Sequence, residues 1–224
     1  MKQIVLMAVC LIATASLSAQ NYTNKQFALI NYDLKITDDF RGDLQALEDY
    51  INNAEVHNKN ADDRLKALII HHLYYNMTPM LEEKVGMSIL PINSFMQEIK
   101  YDDFGYPHAS ISKALRKGDS PFYFKVEMEL DSNTEEKREK NTDLPGDITF
   151  PHYTIDITVY NNDGIIPVDR WHGESKATKP IKTNKQLFGS FTGQTTSATD
   201  TTHKDLSTLH REAVLEMLNN HLNE

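Results

Sequence analysis

Two short stretches hold residue types able to do chemistry. YDDFGYPH, residues 101 to 108, sets Asp102 and Asp103 just ahead of a helix, with His108 close behind. Neighbouring carboxylates with an imidazole suit hard-cation binding or proton transfer. The second stretch is DRWHGE, at the end of YTIDITVYNNDGIIPVDRWHGES. There Trp171 and His172 stand beside Asp169, with Asp156 on the preceding run. On an open strand face, together with Tyr123, they would form a platform for a sugar, a peptide or a partner protein.

Each stretch also has a plainer reading. Two carboxylates repel an anion at the amides of the helix that follows, and acid-rich turns usually cap their own backbone. Asp102, Asp103 and His108 are therefore expected to shape a turn before they act as an acid/base or cation site. Trp171 is large enough that folding normally buries it.

The other histidines make poor metal ligands. His71 and His72 are adjacent, so on a helix they point about 100 degrees apart, whereas two helical ligands want a spacing of about four. His203, His210 and His221 share a helical face, but at intervals that separate them by more than about 10 Å. They read as surface or rim histidines. GSFTGQ lacks the lysine and spacing of a phosphate loop, and no nucleophile elbow, HExxH or calcium-loop pattern occurs. The sequence thus points to no metal and no cofactor, and the catalytic residues of any reaction are unknown.

The elements that must hold these residues follow from periodicity. In FYFKVEMEL, Phe122, Phe124, Val126, Met128 and Leu130 alternate with Tyr123, Lys125, Glu127 and Glu129, so one strand face is core and the other is expected to be wet. The opening of YTIDITVYNNDG alternates likewise, and Asp163-Gly164 marks a hairpin turn in which Gly tolerates positive φ. Loop parity then decides where Trp171 points. An even loop turns it outward beside Asp156 and Asp169. An odd loop turns it inward but buries Asp169 and exposes Val168. A bulge near Asp169-Arg170 would bury both Val168 and Trp171, and is the expected solution.

Three amphipathic helices complete the pattern: one from about Asp38 to Ala54, one from about Ala61 that Pro79 kinks or ends, and one from about Asp205 with Leu206, Leu209, Ala213, Val214, Met217 and Leu218 inward. VGMSILPINSF reads as a strand buried on both faces, FALINYDLKIT as a short strand or arm, and HASISKALRKG as a short helix with Pro107 in its first turn and Gly118 at its stop. Leu187, Phe188 and Phe191 form an apolar docking piece, and the charged run 131–147 a mobile loop. The fold class is α+β: a small mixed or mainly antiparallel sheet with helices packed on one face.

MKQIVLMAVCLIATASLSAQ reads as a signal peptide over residues 1–19, followed by a single domain over 20–224. Its apolar run is too short for a span, so no stable membrane insertion is expected after cleavage. Cys10, the single cysteine, leaves with the leader, and no thiolate chemistry remains. A net charge of -9 lacks the cationic footprint of a nucleic-acid binder.

SILPIN, FYFKVEMEL and YTIDITVYNNDG, in that order over residues 85 to 175, resemble the periplasmic α/β domains of envelope lipoproteins of the curli-secretion and penicillin-binding-protein-activator type. The chain departs from them in lacking a lipidation cysteine. The resemblance implies assembly or partner binding, with no catalytic residues to carry over. The function expected is that of an exported, periplasmic or extracellular, non-enzymatic protein binding a protein or glycan partner. The alternatives are a hydrolase built from Asp102, Asp103, His108 and His172, and a purely structural envelope component.

Overall fold

A computed structural model describes residues 22–45, 47–49, 63–132, 148–183, 187 and 205–222. The leader, Phe188 and Phe191, and nearly all of the charged loop lie outside these residues.

The centre is a five-stranded sheet in the order β2-β1-β3-β5-β6, formed by β1 (Gln26–Ile36), β2 (Ser88–Ile89), β3 (Phe122–Ser132), β5 (Pro151–Asn161) and β6 (Asp169–Lys176). The pairs β2/β1 and β1/β3 are parallel, and β3/β5 and β5/β6 antiparallel, so the sheet is mixed. A separate two-stranded ladder joins β4 (Ile148–Thr149) to β7 (Ile181–Lys182). Beside the sheet come α1 (Asp38–Asp43), α2 (Arg64–Val85), α3 (Ile111–Lys117) and α4 (Leu206–Leu222). The architecture is α+β.

The alternating residues of β3 and β5 pair as the period demands: Phe124 opposes Val159, Val126 opposes Ile157, and Met128 opposes Ile155. Together with Leu65, Ile69, Leu73 and Met77 of α2 and the six expected apolar residues of α4, they form one core. Both long helices therefore share one sheet face.

Several local expectations give way. The segment 26–36 is a full-length strand at the parallel centre, and Phe27, Ala28, Leu29 and Ile30 are all buried because both faces are covered there. Only Ser88 and Ile89 of VGMSIL pair as strand, since Val85 still belongs to α2. Pro79 does not end that helix. The carbonyl it leaves without a helical partner belongs to exposed Tyr75, and α2 runs on to a left-handed cap at Gly86 (φ 74°). Its N-cap is Asp63, whose side chain accepts from the Lys66 amide. Pro107 bridges to Tyr101 ahead of α3 and is no part of its first turn.

The other sheet face is only partly wet. A second cluster places Tyr123, Ala28 and Ile30 beneath Phe95, Ile99 and Ala114, so the chain from 91 to 118 roofs one end of it. Gly118 marks that closeness: a Cβ there would stand 2.6 Å from Phe95 Cε1 and 3.0 Å from Tyr123 Oη.

Candidate functional site

β6 places the DRWHGE cluster, and its register with β5 runs without a break from His152–Lys176 to Val159–Asp169. The expected bulge is absent; the register shift in this sheet lies in β1, between Leu29 and Asn31. The loop between Val159 and Asp169 has odd parity, which turns Trp171 inward opposite Ile157 and leaves it 3% exposed. Val168 pays for this with exposure, and Asp169 is drawn to the core's edge. Gly164 sits in the turn without positive φ, a conformation that among the described glycines belongs to Gly86 and Gly105.

Asp169 does not lie unpaired at that edge. The Tyr22 hydroxyl donates to Asp169 Oδ2 at 2.9 Å, and His221 Nδ1 lies 3.6 Å from the same oxygen. Burial first, and then the Asp169 charge, push the Tyr22 phenol well above its ordinary range, so it stays a donor. The His221 ring lies over Trp171 with centroids 4.5 Å apart, and Tyr22 meets Trp171 edge-on at 5.7 Å. The Trp171 indole N–H is buried with no acceptor among the described residues.

Beside this cluster a cleft of about 400 Å³ opens between β6 and the last turns of α4. Its walls are Arg170, Trp171 and His172 from the strand and Met217, Asn219 and His221 from the helix. Two of them, Arg170 and His172, belong by alternation to the outward face of β6, so the cleft adjoins the open part of the sheet.

That open part is laced with charge pairs. His172 Nδ1 lies 2.8 Å from Asp156 Oδ1, its cross-strand partner. Glu127 neighbours Asp156 on the next strand and pairs with Lys125 at 2.7 Å, while Asp33 pairs with Lys66 at 3.3 Å and Glu129 with Lys35 at 3.0 Å. Glu174 is flanked by Lys176 and His152, both at 3.4 Å. Each pair is solvent-screened and adds little stability. Their effect is to leave the Arg170 guanidinium as the cation on this face of β6 without an ion pair among the described residues.

The predicted binding residues thus divide between surroundings. Trp171 and Asp169 face the core and its edge, His172 and Asp156 face solvent, and Tyr123 is 1% exposed, stacked 6.2 Å from Phe95 under the roof. The shared aromatic platform expected of Trp171 and Tyr123 does not form. Arg170, the Asn219 amide and His221 complete the cleft instead. Arg170 carried a signal in its two-residue step to His172. The helix residues had none, because only the docking of α4 brings them to β6.

Asp102, Asp103 and His108 do not converge. Asp102 Oδ1 accepts from the amides of Phe104 (3.0 Å) and Tyr106 (2.8 Å), closing the turn that Gly105 makes at φ 88°. Burial raises its carboxyl pKa, against the lowering effect of those amides. Asp103 faces solvent, and His108 Nδ1 meets Asn31 Oδ1 on β1 at 3.0 Å. The imidazole that reaches this loop is that of His71, 2.8 Å from the Tyr106 hydroxyl. His72, by contrast, meets Ser207 of α4 at 2.7 Å, as a satisfied core-edge histidine should. Of the three distant histidines, His203 lies outside the described residues, and His210 is no rim residue: it is wholly buried. Among the described residues no group of three or more His, Cys, Asp or Glu is placed to hold a metal, and no helix is long and apolar enough to cross a membrane.

No family model and no curated protein matches the chain. Among solved structures, a hypothetical protein of Chlamydia trachomatis is similar at 7% identity and a TM-score of 0.38, over 90% of this chain and 95% of that one. A protein described as a neuraminyllactose-binding hemagglutinin homolog from Helicobacter pylori is similar at 7% identity and a TM-score of 0.37, over 93% and 91%. Overlap that loose carries no inference about chemistry, so the site rests on its own geometry.

Proposed function

We propose that this chain is an exported protein that loses its leader and binds a protein or glycan partner, without chemistry of its own, at the cleft between β6 and α4. The observation that carries this reading is Arg170: a guanidinium without an ion pair among the described residues, at the mouth of a cleft walled by an indole and an imidazole. Desolvating an unpaired cation is unfavourable until a carboxylate or another acceptor meets it, so the cleft favours a ligand that brings negative charge. Asp102 supports a binding reading over a hydrolytic one, because its carboxylate already accepts two loop amides.

Trp171 is the single tryptophan of the chain, so its emission reports on this site alone. Titration with acidic oligosaccharides and acidic peptides is expected to shift that emission, and Arg170→Gln to weaken the response about tenfold or more. An Arg170→Gln protein that responds like the parent, or a parent silent to every ligand, removes the cleft as the site.

A further inference from the structure

The loop that leads into β6 carries apolar side chains on its outside. Ile165 is 59% exposed, Ile166 78% and Val168 37%. Isolated exposed aliphatics are ordinary on any protein surface. Here, however, three of the six large exposed apolar residues among the described residues fall within four consecutive positions, and a fourth, Leu222, directly follows the cleft residue His221. Such clustering marks a contact surface.

The loop is pinned at both ends. The Asn162 amide donates to the Pro121 carbonyl at 3.1 Å, the Asn161 and Asp163 side chains bond at 2.9 Å, and the Val168 amide donates to the Val159 carbonyl at 2.9 Å. Pro167 removes a further freedom between them. The aliphatic tip is therefore presented already ordered, which reduces the entropy lost on binding. Val168 is the last bend residue before β6 and stands two positions ahead of Arg170, so the exposed aliphatics lead along the chain directly to a guanidinium that has no ion pair among the described residues.

The chemistry of these residues selects among partners. Sugar rings stack on aromatic faces, and the tip has none. An anionic membrane surface needs a cluster of cations, whereas Asp163 and Asp169 flank this loop in a chain of net charge -9. Addition of a strand to the β6 edge is opposed, because the Glu174 amide already donates to Glu216 Oε2 at 2.6 Å and the Arg170 amide to Asp169 Oδ1 at 2.8 Å. What remains is recognition through side chains.

We infer that the partner at this cleft is a polypeptide that sets an apolar side chain against Ile165, Ile166 and Val168 and a carboxylate against Arg170. This inference rests on the cleft being the binding site and names the class of its occupant. Purified protein is titrated, with Trp171 emission and a pull-down readout, against two Ser-rich peptides that differ only in a central Leu-Glu-Leu or Leu-Lys-Leu, against an oligoglucuronate, and against vesicles rich in phosphatidylserine. The Leu-Glu-Leu peptide is expected to bind about tenfold more tightly than its Lys counterpart, and to lose about tenfold in both Arg170→Gln and the double variant Ile165→Ser, Ile166→Ser. Both variants alter exposed positions, and an unchanged melting temperature verifies their folding. Oligoglucuronate binding that needs Arg170 but ignores the loop variant overturns this inference and leaves the cleft standing. Vesicle binding that needs Ile165 and Ile166 replaces it with a lipid surface. Silence from all four probes ends both the inference and the cleft reading.

Discussion

Gly173 is the point at which α4 touches the sheet, and a methyl group there should unseat the helix. A Cβ built on Gly173 would stand 2.1 Å from the Ala213 carbonyl oxygen, 2.7 Å from Met217 Cβ and 2.9 Å from the Met217 amide nitrogen. Two of these atoms are backbone, so no rotamer change relieves the clash. To reach ordinary contact α4 must withdraw by about 1 Å, and a gap of that size forfeits a quarter to a half of each dispersion contact. Leu206, Leu209, Ala213, Val214, Met217 and Leu218 all make such contacts. At about 2 kcal/mol for each buried apolar side chain, a quarter of the total is about 3 kcal/mol, at the upper end of what overpacking usually costs. Gly173→Ala should therefore lower the urea midpoint by about 1 M and the melting temperature by about 10 °C. Trp171 emission should move to the red, because Met217 and His221 of α4 wall its cleft. Gly164→Ala, where an added Cβ meets nothing within 4 Å, is the control and should stay within about 0.5 kcal/mol of the parent. Gly173→Ala matching that control, with unchanged emission, would refute the direct seating of α4 on β6.

The remaining predictions test buried polar groups. His210 is wholly buried, edge-on to the Tyr153 ring of β5 at 5.0 Å and near His72 of α2; burial first, then His72, hold its pKa down to about 3. The unfolded chain takes up this proton below about pH 6.5 while the folded chain does not, so stability is complete above that value and falls as the pH drops toward 3, by about 2 kcal/mol at about pH 5. Urea unfolding at about pH 8 and pH 5 should show this loss, and His210→Leu should reduce it; because burial also lowers His71 and His72, part of the slope should persist, and an unaltered slope rejects the assignment. Asp102→Ala strands the Phe104 and Tyr106 amides and should cost about 1–3 kcal/mol, whereas Asp102→Asn keeps an acceptor and should cost less than half as much. Equal losses in the two variants, measured by denaturant midpoint, would show that Asp102 acts through its charge.

Alternation made β3, β5 and the apolar stripe of α4 legible, because those residues see the same environment repeatedly along the chain. It also placed Tyr123 on the side away from the long helices. What it could not convey was that Phe95, Ile99 and Ala114 return to cover that side: period two tells which way a side chain points, not what lies there. The central position of β1 was hidden for a related reason. Parallel pairing to β3 joins residues nearly a hundred positions apart, and the uninterrupted apolar run from Phe27 to Ile30 carries no alternation to announce it. Trp171 posed a problem that local pattern leaves open. Burying both it and Val168 needs an irregular ladder, and β6 keeps a regular one by leaving Val168 to solvent beside Ile165 and Ile166.

The cleft illustrates the wider limit. Tyr22, Asp169 and His221 come from the start of the described chain, from β6 and from the end of α4, and they meet on one carboxylate. No spacing of residues encodes that meeting; it follows from three separate packing events. The strand must keep its register so that Asp169 and Trp171 face inward, β1 must bring Tyr22 to the same end of the sheet, and α4 must lie close enough to carry His221 over the indole. The last condition depends on Gly173, which contributes no side chain at all. A glycine placed by alternation on the core face of a strand, opposite a small residue such as Ala213 on a helix, permits the closest approach of helix to sheet. The helix side chains that wall the cleft therefore hold their place against β6 through a contact made by backbone, at a position that carries no side chain.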